Sequence, residues 1–128
     1  PTSGNFSSID ELGKYVVLDH EDHGRTLLLF EDIENVEEWS QSNLHYSFNL
    51  KGVLVKNMKM VGGRVCAIKN CNFAHIIYRE EKDFHSLFVV TKDEIGFHLE
   101  PGRIYSTTVA GVELRIWQQQ KMIYALTG

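Results

Sequence analysis

The sequence predicts an α+β domain: a mainly antiparallel β-sheet of about eight short strands, with one clear α-helix packed on a face. Three observations carry this. Short runs of β-branched and aromatic residues alternate with polar ones, and turn formers punctuate them. One stretch, Asp32 to Gln41, has helical spacing of its apolar residues. Gly62 to Val90 reads as three consecutive strands, Val65–Ile68, Phe73–Tyr78 and Phe84–Val90, joined by two turns. At 128 residues the chain is a single domain, residues 1–128, with a small, polar lead-in over 1–8.

The elements follow in order. Ser7 or Ser8 caps a short turn through Ile9, Asp10, Glu11 and Leu12, and Gly13 stops it. Tyr15–Asp19 and Arg25–Phe30 form a β-hairpin whose loop is the polar run Asp19-His20-Glu21-Asp22-His23-Gly24. Asp32 caps the helix, and Ile33, Val36 and Trp39 share one face of it. Leu44, Tyr46 and Phe48 alternate with His45 and Ser47 as an extended segment, and Val53 to Met60 alternates again. Gly62-Gly63 marks a bend or bulge that needs positive φ or close backbone approach.

The three-strand meander comes next, with Lys69–Asn72 as its first turn and Arg79–Asp83 as its second. Thr91 to Gly102 is a connection rich in turn formers. Ile104–Val109 is a strand, and Ala110-Gly111 turns into another, where Val112, Leu114 and Ile116 alternate with charged residues. Trp117–Lys121 makes a hairpin tip before the last strand, Met122–Leu126.

Composition narrows the function. Apolar residues at 43% and charged residues at 23% are ordinary globular values. A net charge of −4 and a pI near 5.8 argue against nucleic acid as a partner and against a polybasic membrane-surface module. No apolar run approaches the roughly 18 residues of a membrane span. There is no nucleophile elbow, P-loop or dinucleotide fingerprint.

Three groups of residues can carry chemistry. His20 and His23, spaced H-x-x-H among three carboxylates, can hold a divalent metal, although a solvated polar turn explains the same residues. Cys66 and Cys71 flank the first turn of the meander. They form a redox pair if the register brings them together, and otherwise are two semi-buried thiols. His75 and His85 lie on adjacent strands of that meander and, with Cys66, could complete a Cys/His ligand set; ordinary sheet residues are the competing reading.

The order of Trp39, Phe48, Val61-Gly62-Gly63-Arg64-Val65, Ala74, Ile76-Ile77-Tyr78-Arg79 and Leu87-Phe88-Val89 resembles the extracytoplasmic domain of bacterial membrane-bound anti-sigma factors. Gly111 to Trp117 and then Tyr124-Ala125-Leu126 are similar to that family's ending. The resemblance implies a non-enzymatic sensor or interaction domain on the periplasmic side of the inner membrane, coupling an outer signal to transcription. It also implies a protein partner. The sigma factor would be reached only through a cytoplasmic domain, and the membrane only through a transmembrane helix, neither of which is in this chain. The start at Pro1 fits a piece of such a protein. A homodimer is compatible with it, and the resemblance implies no cofactor. The alternative from the residues themselves is a metal- or small-molecule-binding domain, enzymatic or not, in the cytoplasm or outside it. It would use the Cys/His residues of the meander or the His20/His23 loop.

Overall fold

A computed structural model describes residues 5–22, 29–50, 53 and 57–128. Among the described residues the domain is α+β, as expected, but it has six strands and not eight, and two helices and not one. Helix α1 spans Ile9–Glu21 and α2 spans Val36–Asn43. The strands are β1 Lys59–Ile68, β2 Cys71–Glu80, β3 Asp83–Thr91, β4 Ile104–Val109, β5 Val112–Gln119 and β6 Met122–Thr127. They form one antiparallel sheet in the order β1-β2-β3-β6-β5-β4.

The N-terminal half corrects the sequence reading most. Ser8 does cap, accepting a hydrogen bond from the Glu11 amide. The helix it starts runs straight through Gly13, the expected stop, and through Tyr15–Asp19, the expected strand. Leu12, Gly13, Val16 and Val17 share one helical face and are buried against the sheet. Gly13 serves close packing: a Cβ there would lie 3.1 Å from Leu114 Cδ1. Each aliphatic side chain so buried contributes about 1.5–3 kcal/mol, enough to override the β-preference of a Val-Val pair. The expected hairpin partner, Arg25–Phe30, lies mostly outside the described residues, as do His23 and Gly24.

Helix α2 begins later than expected. Asn35, and not Asp32, caps it by accepting from the Glu38 amide. Leu44 to Phe48, expected as an extended segment, bends over residues 44–46 and pairs with no strand. Its apolar residues cover the sheet instead: Leu44 and Phe48 are buried, and the Tyr46 hydroxyl donates to the carbonyls of Asn72 and Val89. Of Val53 to Met60, residues 54–56 lie outside the described residues, and strand β1 begins at Lys59.

From Gly62 onward the expected strands are present; β4 has the expected bounds and the others are longer than expected. The two turns of the meander are tighter than expected, and Ala110-Gly111 is the expected turn. Lys69-Asn70 and Ala110-Gly111 are two-residue connections in which both residues have positive φ, which matches the twist of a hairpin. The second meander turn is Glu81-Lys82, shorter than the expected five-residue loop. Gly62-Gly63 is a site of close approach. The register shifts between Met60 and Gly62, and Gly63 exchanges both backbone hydrogen bonds with Glu31 at 2.7 and 2.9 Å. A Cβ on Gly62 would meet the Glu31 carbonyl at 2.6 Å.

Two cores result, one on each face of the sheet. Helix α1, with Phe6, Ile95 and Leu99, closes the face that carries Cys66, Phe73, Phe88, Leu114 and Ile123. Helix α2 and the segment through Phe48 and Val53 close the opposite face over Ala74, Ile76, Leu87, Val89 and Tyr124. Strand β2, covered on both sides, is buried almost without interruption from Phe73 to Tyr78.

Candidate functional site

Helix α1 carries its inward stripe one turn further with two polar residues. From Val16, positions three and four on are Asp19 and His20, so both face the sheet at the end of an otherwise apolar surface. The sheet answers them with polar side chains from three adjacent strands: Arg64 and Cys66 on β1, His75 on β2 and Ser86 on β3.

Asp19 is the hub. Its Oδ2 accepts from Arg64 Nη2 at 2.8 Å and lies 2.9 Å from His75 Nδ1. The Cys66 thiol points at the same carboxylate. A carboxylate oxygen of Asp19, Cys66 Sγ and a ring nitrogen of His75 all lie within 4.8 Å of one another. Burial alone would raise the Asp19 carboxyl; the contacts with His75 and then with Arg64 outweigh it and hold the group below its usual value.

His75 is fully buried and its ring is fixed on three sides. It stacks on Phe88 at 4.1 Å between centroids and meets the edge of Phe30 at 5.0 Å. Its Nε2 lies 2.7 Å from the hydroxyl oxygen of Ser86. That hydroxyl also lies 2.8 Å from His20 Nδ1, while the Ser86 amide donates to Thr127 Oγ1. Asp19, His75 and Ser86 therefore stand in the order of a nucleophilic triad. Ser86 is fully buried and held between two imidazoles, which is the setting of a structural relay and not of a nucleophile open to substrate. The side that opens to solvent is that of Asp19, which borders a groove of about 570 Å³ between α1 and the β1–β2 hairpin, lined also by Tyr15, Leu18, Ala67 and Lys69.

Of the residues singled out from sequence, the structure brings Cys66, His75 and His20 into one cluster. The others lie elsewhere. His85 is on the opposite face: it pairs with Tyr78, whereas His75 pairs with Phe88, an odd number of positions away. There it contacts Glu80 at 3.2 Å and the Thr127 carbonyl at 3.3 Å. His75 and His85 thus cannot share an ion. His20 lies in a helix and not on a hairpin loop, and His23 lies outside the described residues.

Cys66 and Cys71 share a face but not a pairing position. Cys66 is opposite Phe73 and Cys71 is opposite Ile68. Such diagonal neighbours sit about 7–8 Å apart, beyond disulfide reach, and both thiols are free and buried. Cys71 accepts from Asn5 Nδ2 at 3.0 Å. Burial raises both thiols above their ordinary value, reinforced at Cys66 by the Asp19 carboxylate, so neither has the thiolate character of a redox centre.

Sequence reasoning missed Arg64 and Ser86 as site residues and read Asp19 only as one carboxylate of a polar loop. The signal that could have found them was the continuation of the Leu12–Val16 stripe into Asp19 and His20. No protein-family model matches the chain, and searches of the curated proteins and of the solved structures give no significant match to it.

Proposed function

We propose that this chain is a non-enzymatic sensor or interaction domain of a membrane-bound, anti-sigma-factor-like regulator, on the outer side of a bacterial inner membrane. One observation carries the reading: apart from Trp39 and Phe48, which lie in the segment that covers the sheet, the residues of the resemblance fall on one continuous piece of architecture. Val61–Val65, Ala74–Arg79 and Leu87–Val89 lie in the adjacent strands β1, β2 and β3. Val112–Trp117 and Tyr124–Leu126 lie in β5 and β6, which extend the same sheet from β3, and Gly111 is in the turn that leads into β5. The diglycine holds the approach to α2 on the edge of β1. A pattern scattered over unrelated positions would not map onto a single layer.

The polar hub suits signalling. It is the place where α1 is tied to the sheet by directional contacts and not by apolar packing alone. A ligand or partner that binds differently to the tied and released states shifts the balance between them, which is all that a sensor requires. The enclosure of Ser86 and His75 supports a non-catalytic role.

The test is made on the full-length polypeptide that contains this chain. Alkaline phosphatase fused after Gly128 is expected to be active, and β-galactosidase at the same position inactive. Deleting residues 1–128 is expected to change expression from a sigma-dependent reporter. The opposite fusion pattern, or a reporter that ignores the deletion, sinks the reading.

A further inference from the structure

We propose that Asp19, Cys66 and His75 form a binding site for a divalent transition metal of zinc type, with Ser86 and His20 as the outer relay that sets the tautomer of His75. The inference goes beyond the sensor reading. It rests only on the geometry under α1, and it would stand if the domain had another biological role.

The donor set is the first argument. One thiolate, one imidazole and one carboxylate are the ligand types that Zn²⁺ takes, and three protein ligands leave a fourth position open, as in sites that exchange water or a ligand. A thiolate and a carboxylate together cancel the charge of a divalent ion, which leaves the Arg64 guanidinium beside Asp19 as the one surplus charge at the site. In a tetrahedral site with metal–ligand bonds of about 2.0–2.3 Å, donor atoms stand roughly 3.3–3.7 Å apart. Here all three lie within 4.8 Å, and the Asp19–His75 pair at 2.9 Å is slightly too close. Shifts of a few tenths of an ångström to about an ångström bring them to that spacing.

The second argument is the outer shell. A metal-bound histidine characteristically donates its other ring N–H to a fixed acceptor. His75 presents Nδ1 to Asp19 and Nε2 to Ser86, so the two nitrogens already have separate tasks. The chain of bonds has two consistent proton arrangements. In one, His75 Nδ1–H faces Asp19, Ser86 donates to Nε2, and His20 donates to Ser86. In the other, a cation sits at Nδ1, Nε2–H donates to Ser86, and the Ser86 hydroxyl turns to donate to His20. Rotation of one hydroxyl and a tautomer change at each of the two imidazoles convert between them, and His75 Nε2, the Ser86 hydroxyl and His20 Nδ1 keep their partners in both. The thiol proton of Cys66 leaves to solvent when the ion binds.

The remaining parts are also present. Stacking on Phe88 and contact with Phe30 hold the imidazole plane in place before any ion arrives. Asp19 has two oxygens and about four lone-pair directions, so Arg64 can keep donating to the carboxylate and orient it while the carboxylate ligates. The groove along α1 on which Asp19 opens gives an ion its route in.

The 128-residue chain, purified with reductant and freed of metal by chelation, is titrated with Co²⁺ and then with Zn²⁺. The expected result is a thiolate-to-cobalt charge-transfer band with the intense visible bands of a four-coordinate ion. It should saturate at a single equivalent and be bleached by Zn²⁺. Cys71→Ser is expected to keep the band and Cys66→Ser to lose it. The Cys66 variant can fail to fold, so the wild-type protein supplies a second measurement. A pulse of alkylating reagent in mild urea should label Cys66 about a hundredfold more slowly with Zn²⁺ at a hundred times its Kd. Cys71 should be slowed to a smaller extent. Absence of the band in folded protein, a band that follows Cys71, or Zn²⁺ that leaves the labelling of Cys66 unchanged overturns the site. None of these results bears on the fusion and reporter experiments, so the two readings fail separately.

Discussion

The carboxylate of Asp19 holds together groups that would otherwise oppose one another: a guanidinium, an imidazole and a thiol all converge on it. Removing it would leave Arg64 partly buried and without the carboxylate that balances its charge, so the cluster acts as a unit and not as separate contacts. The cysteines behave differently from what their spacing suggests. Both are free, buried and raised above the ordinary thiol value, with burial as the main cause. Iodoacetamide at mildly alkaline pH is therefore expected to leave both unlabelled in the native protein and to label both in urea, with mass spectrometry as the readout. Rapid native labelling of either thiol would contradict the burial described. Whether Cys66 and Cys71 meet, and whether His75 and His85 do, is a question of strand register: the cysteines share a face two positions apart, and the histidines fall on opposite faces. It follows from the turn at the end of each hairpin. The turn at Lys69-Asn70 was visible as a cluster of turn formers, but its two-residue length was not. Reading Arg79–Asp83 as a five-residue loop hid the parity that sends His75 and His85 to opposite faces.

At the scale of elements, the hairpins after Gly62 were legible because alternation and turn chemistry agree there. Ala110-Gly111 between two alternating runs is one case, and the β5 run of Val112, Leu114 and Ile116 is another. Helix α1 was not legible. Tyr15-Val16-Val17-Leu18 favours a strand locally, Gly13 favours a stop, and only the apolar face that the sheet offers reverses both. The diglycine was recognised as a site of close approach, and the structure identifies the strand that approaches. Gly62→Ala is expected to cost about 1–3 kcal/mol, because the new methyl would press on the Glu31 backbone and not on a movable side chain. Urea denaturation with an unchanged m-value checks this. An unaffected midpoint would mean that the Glu31–Gly63 bridge does not pin that segment. Ala at Gly111, by contrast, meets no atom within 4 Å, so its cost comes from positive φ alone.

The sheet carries a core on each face, and three tyrosines record the cover that α2 and the segment after it provide on one of them. Burial raises Tyr46, Tyr78 and Tyr124 above the ordinary phenol value, Tyr78 to about 12 from 10.0. An acid whose pKa is raised by folding contributes stability in full below its unfolded value, and that stability is lost as the pH rises through the folded value. For Tyr78 the window is therefore about 10 to 12. Phenolate absorbance from the buried tyrosines is expected to appear together with loss of the near-UV circular dichroism across that window. Full ionisation at the ordinary value with the fold intact would show that one face is open to water.

The strand order has a kinetic consequence. The hairpins β1–β2, β2–β3, β4–β5 and β5–β6 are each closed by a two-residue turn, so each can form as soon as its own residues are made. The pairing of β3 with β6 is different: it joins the two three-stranded halves and must wait for the chain from Lys92 to Lys121 to come back. Closing that long loop before any contact rewards it is an entropic barrier. The β3–β6 seam is thus the step that turns two fast-forming meanders into one slow-forming sheet. Lengthening the loop between Glu94 and Arg103 should slow folding while leaving the rate of unfolding nearly unchanged.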